Sequence, residues 1–391
     1  MVEAYPPLDE VRKSFKIKWY RTPIEKDRMR ELTRRSNLRG FFHAVGHLAL
    51  VAATGTAVVL LFQARMWVPM AVTLWFHGIF YSFFTGLATH ELSHGTVFRT
   101  KWLNEFFLRI YSMLAWVNFH HYRRSHKHHH MFTLHKQGDR EAAGGRGHGP
   151  FRFGEYVRYF LFDWMAFWSW VSKIVGLAVT GEFKDEWSNA LYPPEEADAK
   201  RKAVRWAQAV LTFHLAVLGV SIRLGLWMLP VVVSLGPFIA TWWRVFIGRT
   251  MHNGLRDNVP DWRKCARTVK LDPLSRFLYW NMNYHIEHHM YAAVPCYNLP
   301  RLSKEVAWDF PKPRTIRDAW QEMRFVWKMV QTEPGYQWDT PVPNEGGVQD
   351  PGRVQDPGVQ DPGRVQDAAK VQNLGSVQDP GRGAGPVGSN E

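Results

Sequence analysis

A chain of 391 residues is long enough for two or three soluble domains, but 46% hydrophobic and 15% aromatic content, with 19 Trp, points to a bilayer taking up much of it. Two cysteines, Cys265 and Cys296, exclude a disulfide framework and a CxxC metal site, so any metal must be held by other side chains. The net charge of +14 is spread between apolar runs rather than gathered on one module, which argues against nucleic acid and for a cytoplasmic membrane surface.

In chain order, the first forty residues mix acidic and basic side chains without an apolar segment. No cleavable signal peptide is therefore expected, and 1–40 reads as a cytoplasmic segment. Residues 41–63 and 67–88 are apolar runs of spanning length joined by a very short turn at Arg65, a membrane hairpin. Residues 104–118 and 155–180 are apolar but interrupted by charge, and are expected to lie in the interface or half-buried beside the bundle. A second hairpin is expected over 204–224 and 227–248, joined near Arg223 and Leu226.

Basic residues concentrate in 119–158 and 249–276, while the two short connections carry only Arg65 and Arg223. By the positive-inside rule both termini and the basic segments are then cytoplasmic. The expected architecture is an all-α integral membrane protein. Four transmembrane helices in two hairpins lie under a helical cytoplasmic cap that holds a di-metal site, with 41–330 as the catalytic domain. The extension 331–391 repeats VQDPG, for example at 348–352 and 377–381. Such repetition cannot bury a core, so disorder is expected from about residue 347.

Three histidine clusters punctuate this plan: His90 and His94 in HELSH, His126, His129 and His130 in HKHHH, and His285, His288 and His289 in HIEHH. On a helix, positions i, i+3 and i+4 share a face, so each cluster can aim its imidazoles at one point. His252 lies just past the expected fourth span, and the first cluster just past the second, on the same side of the membrane. Nine imidazoles exceed the four ligands of one tetrahedral zinc, so two metals are implied. Imidazole suits iron, zinc and copper alike and leaves the metal open. Glu91 and Glu287 lie inside the clusters, where a carboxylate can accept the second N–H of a ligand histidine. HELSH also matches the HExxH zinc-protease signature with Glu91 as general base, but that reading leaves seven histidines unexplained. A histidine-rich metal transporter is a third reading, against which the spans lack intramembrane carboxylates.

The sequence of clusters, with the flanks HELSHGTVF, HHYRRSHKHHHMFT and NYHIEHHMYAAVPCYNLPRL, resembles the membrane fatty acid desaturase and hydroxylase superfamily from about Phe41 to Lys304. The resemblance implies two iron ions held by His90, His94, His126, His129, His130, His285, His288 and His289, with His252 in MHNGLRD as an additional ligand. It implies dioxygen as co-substrate and electrons from a separate reduced ferredoxin or small cytochrome, since no carrier domain is fused. The implied reaction is desaturation of an acyl-lipid or acyl-CoA chain, with hydroxylation or ketolation of a lipid or carotenoid as the alternative. Acyl-CoA desaturases carry an asparagine one turn before the additional histidine; here Gly248 stands in that place, a departure from that subfamily.

Overall fold

The computed structural model describes residues 6–141 and 149–343, and among these every regular element is a helix, with isolated backbone bridges in the connections. Two short helices, α1 (Leu8–Ser14) and α2 (Lys26–Leu32), precede the long α3 (Asn37–Gln63) and α4 (Trp67–Ser82). Then come α5 (Thr89–Ser93), α6 (Lys101–Leu114), α7 (Phe119–Phe132), α8 (Phe153–Phe160), α9 (Trp164–Thr180) and α10 (Glu186–Leu191). The second half holds α11 (Ala197–Leu224), α12 (Trp242–Gly248), α13 (Trp262–Cys265), α14 (Pro273–Leu278), α15 (His285–Met290), α16 (Leu299–Glu305) and α17 (Ile316–Met329). These lie in one compact unit, Met1–Glu345. The repeats from Gly347 onward fall outside the described residues.

Among the described residues, three helical stretches are long and apolar enough to cross a membrane: Lys26–Gln63, Trp67–Ser93 and Pro194–Leu224. The first hairpin forms as its hydropathy dictates. Ser36 caps α3 by accepting from the Arg39 N–H, and Arg65 takes a left-handed φ of 57° to turn the chain into α4. At the far end of α4, Thr85 and Gly86 leave the helical region, with Gly86 at φ 80°. The Thr89 hydroxyl bridges the break by accepting from the Gly86 N–H and donating to the Phe84 carbonyl, both at 3.2 Å. The bend re-aims α5, and with it the first histidine cluster.

The expected fourth span over 227–248 is not one helix. After α11 ends at the left-handed Gly225, the chain runs through a π turn (Val231–Leu235) and a 3-10 turn (Gly236–Phe238), then an extended Ile239, before α12. Pro237 has no N–H to continue a helical ladder. Gly236 lies so near the Tyr81 ring that a Cβ would sit 2.4 Å from it. The carbonyls freed by the break are met by side chains of neighbouring elements. His77 Nε2 donates to Val232 O at 2.9 Å, the Tyr81 hydroxyl reaches Val233 O at 3.0 Å, and Trp116 Nε1 donates to Ser234 O at 2.9 Å. Buried backbone groups left unpaired would cost several kcal/mol each in an apolar setting, so these contacts are what makes the broken segment tolerable there.

The stretch 155–180 is likewise two helices. Asp163 caps α9 by accepting from the Ala166 N–H and lies 3.2 Å from Arg158 Nε, so its charge sits in a break rather than within a span. The two breaks pair with each other. Asp163 N donates to Phe238 O at 2.8 Å and Ala240 N donates to Leu161 O at 3.0 Å, closing an antiparallel bridge between Phe162 and Ile239.

Aromatic packing ties the hairpin to the later segments. The Tyr111 hydroxyl donates to Ala44 O at 2.7 Å and Trp280 Nε1 donates to His47 Nδ1 at 3.1 Å, both side chains fully buried. The N-terminal segment also packs on the later segments. Tyr20 and Thr22 hydroxyls donate to Asp309 at 2.8 and 2.5 Å, and Trp19 stacks on Trp262 with ring centres 4.2 Å apart.

Candidate metal centre

The elements that carry histidines meet at the end of the molecule where α3 begins. Asn37 and Thr100 exchange hydrogen bonds of 2.8 and 3.0 Å there, joining the start of α3 to the loop after the first cluster. α7 begins at Asn118, whose side chain accepts from the His121 N–H, and the helix presents His126, His129 and His130 along its buried face. α15 consists of the third cluster itself and is buried throughout. His252 lies in the turn that follows α12.

All nine expected histidines come together, and they divide into two groups whose potential ligand atoms lie within 4.8 Å of one another. One group is His90, His94, His126, His130 and His288; the other is His129, His252, His285 and His289. Neither follows the clusters of the sequence. His129 turns away from its neighbours His126 and His130, and His288 from His285 and His289. The groups adjoin, with the His130 and His289 ring centres 4.5 Å apart.

Five of the nine Nδ1 atoms face acceptors, while those of His130, His285 and His288 have no hydrogen-bond partner among the described residues. His90 meets Glu91 Oε1 at 3.0 Å, His126 meets Glu141 Oε1 at 3.0 Å, His129 meets Asp139 Oδ2 at 2.9 Å, and His252 meets Cys265 O at 2.7 Å. His289 Nδ1 faces Thr133 Oγ1 at 3.3 Å, whose own proton goes to His129 O. Each acceptor assigns the ring proton to Nδ1 and leaves a lone pair on Nε2. The Nε2 atoms crowd inward: His126 to His130 at 3.0 Å, His130 to His288 at 3.1 Å, His252 to His285 at 2.8 Å and His289 to His285 at 3.2 Å. A proton on His285 could serve only one of the two lone pairs aimed at it. Convergent nitrogen lone pairs without enough protons between them fit a cation in each group.

Electrostatics agree with this donor set. Burial pushes the His94 and His252 rings down to about 3, helped by neighbouring imidazoles, so both are neutral near pH 7. Burial likewise holds His126, His130, His285, His288 and His289 well below the ordinary imidazole value. At His129 burial works the same way, but the charge and hydrogen bond of Asp139 outweigh it and raise the ring.

Of the two carboxylates inside the clusters, Glu91 touches His90 and lies 3.5 Å from His288 Nδ1, while Glu287 takes the Thr268 hydroxyl and touches no ring of the two groups. Through Oε1, Glu91 takes the ring proton of His90, the orienting part expected of a carboxylate beside a ligand histidine. Asp139 and Glu141 are not singled out by the sequence. Their signal was available: in the basic segment 119–158 the only carboxylates are Asp139, Glu141 and Glu155, and two of them follow the second cluster directly.

Other described histidines have partners away from the two groups. His128 Nε2 accepts from Arg12, His121 meets Ser188 and His135 meets Thr133 O. His47 donates to Phe80 O, and His214 joins Ser234 Oγ to Met113 O, which are helix-packing roles.

A cleft of ≈670 Å³ opens onto His94, His126, His130 and His289, and Arg12, Lys16, Arg21, Arg123 and Lys127 stand around its mouth. The sequence profile described as fatty acid desaturase matches residues 65–320, a stretch that contains all nine histidines. No curated protein sequence matches the chain.

Proposed function

The chain belongs to the fatty acid desaturase family, and on that premise we propose that it is a membrane-embedded, dioxygen-dependent di-iron lipid oxidase. Its reaction is the introduction of a C=C bond into a fatty acyl chain, as acyl-lipid or acyl-CoA. The observation that carries this reading is the convergence of Nε2 lone pairs in two adjoining groups, with the Nδ1 protons held by Glu91, Asp139, Glu141, Cys265 O and Thr133.

His90, His94, His126, His130 and His288 would hold one iron, and His129, His252, His285 and His289 the other. The irons would supply the reduction of dioxygen and the oxidising power to remove two hydrogens from an unactivated carbon pair. The protein's own part is positional and electrostatic. Neutral imidazoles leave the metal charge uncompensated, and the carboxylates at the Nδ1 atoms of His90, His126 and His129 fix the tautomers of those three rings and raise their basicity. Burial of the rings keeps bulk water from competing at the site.

Four membrane crossings are part of the proposal, with both termini cytoplasmic. α3, α4 and α11 supply three, and the broken segment from Val231 through α12 supplies the fourth. It is supported by the side-chain contacts that replace its missing ladder bonds, since non-helical backbone at membrane depth is tolerated where protein surrounds it. Electrons would come from a separate reduced ferredoxin or small cytochrome, docking by its acidic face at the basic mouth above His94 and His126.

The test is lipid profiling of a host expressing the protein beside its His129→Ala variant, together with metal analysis of both. About two irons per chain and a new unsaturated acyl species, both lost in the variant, are the expected result. An unchanged lipid profile with one zinc per chain would remove the oxidase reading.

A further inference from the structure

Close to the head of α3, and separate from the histidine centre, lies a second basic cleft of ≈760 Å³. Arg34, Arg35, Arg39, Arg99 and Arg301 line it, against one carboxylate, Glu31, for a net lining charge of +4. Glu31 is itself engaged by Arg28 at 2.5 Å and lies 3.8 Å from Arg301. Arg34, Arg35 and Arg99 have no ion-pair partner among the described residues.

The cleft is built on a fixed floor. Asn298, 2% exposed, donates through Nδ2 to Leu32 O at 2.8 Å and to Arg34 O at 3.3 Å, and its Oδ1 accepts from Arg39 at 2.9 Å. Arg39 also lies over the Tyr297 ring at 5.7 Å. The Asn37 and Thr100 exchange holds Arg99 against the same edge. Beside the guanidiniums the surface turns apolar at once: Leu38 is 80% exposed, Phe42 68% and Trp102 64%. A free anion would use only the cationic half of this surface. An amphiphile with a phosphate head and acyl chains would use both.

We propose that the arginine cleft at the head of α3 binds the phosphate head group of an anionic membrane lipid, whose acyl chains run along Leu38 and Phe42. The inference rests on the reading of α3 as a membrane span, which sets the cleft at the level of the head groups. It is independent of the metal assignment.

The experiment uses the purified full-length protein in detergent, titrated with phosphatidylglycerol and with phosphatidylcholine of the same acyl chains, and read by native mass spectrometry. Phosphatidylglycerol should be retained selectively. Each arginine at an anionic lipid surface contributes about fivefold, so Arg34→Ala/Arg35→Ala/Arg99→Ala should weaken retention roughly a hundredfold. Arg317→Ala/Arg324→Ala/Lys328→Ala, which removes the same charge from exposed positions of α17, should leave it unchanged.

Equal retention of both lipids, or equal loss in both triple variants, would overturn the proposal. Full displacement by equimolar inorganic phosphate would reassign the cleft to a free anion, and displacement by polyglutamate to an acidic protein. Iron content measured on the same samples separates the two readings. Selective lipid binding without iron leaves the cleft standing and removes the catalytic proposal; iron with unselective binding does the reverse.

Discussion

Asp139 accepts the Nδ1 proton of His129 with one oxygen, while its carboxylate also takes the N–H groups of Leu134 and Glu141. It therefore fixes a ring and closes its own turn in one act. Glu141 is oriented by the Ser125 hydroxyl, which in turn accepts from Trp187. Loss of such a partner lowers metal affinity about 10–100-fold because the ring loses both its tautomer and its aim. Asp139→Asn and Glu141→Gln should each show this, measured as iron retained after dialysis against graded chelator. Glu287→Gln, whose carboxylate engages Thr268, should lose far less. Equal loss in all three variants would strip Asp139 and Glu141 of their part in orienting the rings. The sequence pointed to Glu91 and Glu287 because they stand inside the clusters. The side chain at position 287 faces away because successive helical positions diverge, whereas Asp139 and Glu141 arrive by a turn that no periodicity announces.

At the scale of elements, the fold depends on breaks held by specific neighbours. Gly236→Ala would bring a Cβ within 2.4 Å of the Tyr81 ring, and Gly78→Ala within 2.6 Å of Ile239. Overpacking of this kind costs about 1–3 kcal/mol, which should appear as a lowered Tm in detergent. Tyr81→Phe removes the hydroxyl that reaches Val233 O and should cost a similar amount, about 1–3 kcal/mol, by leaving a buried acceptor unmet. Gly219→Ala, on α11 with nothing within 4 Å, should be neutral or raise Tm slightly. If Gly236→Ala melted like Gly219→Ala, the close contact at the break would have no energetic weight. Hydropathy marked 227–248 as one span because it counts apolar side chains and is blind to where the ladder is interrupted. The long apolar α3 and α11 were legible for the same reason: nothing within them breaks the ladder.

For the whole molecule, the sidedness of the membrane reading can be checked where the structure links elements. Arg124 of α7 donates to Leu191 O at 2.8 Å and pairs with Glu196, so 191–196 shares a side with the second histidine cluster. An acceptor tag at the exposed Glu195 should be labelled only from the cytoplasm, and one inserted between Arg65 and Trp67 only from outside. Labelling of the Glu195 tag from outside would break the four-crossing proposal. The basic mouth makes a second demand on the intact protein. Turnover with a separate acidic carrier should fall as salt rises from about 0.05 to 0.2 M, because screening shortens the reach of Arg12, Lys16 and Lys127. Turnover indifferent to salt would exclude docking there.

Local chemistry settled what the sequence could settle by itself. Residue type and i, i+3, i+4 spacing marked the eight clustered histidines, and apolar runs marked the first hairpin and α11, because each signal lies within a few turns of chain; His252 was marked only by its place after the expected fourth span and by the family resemblance. The division of those histidines into groups of five and four, the carboxylates at their Nδ1 atoms and the paired breaks at 161–163 and 238–240 were decided only by tertiary structure. Each of these joins residues distant in sequence or on diverging faces, and which lone pair or carbonyl finds which partner is fixed only when the helices have packed.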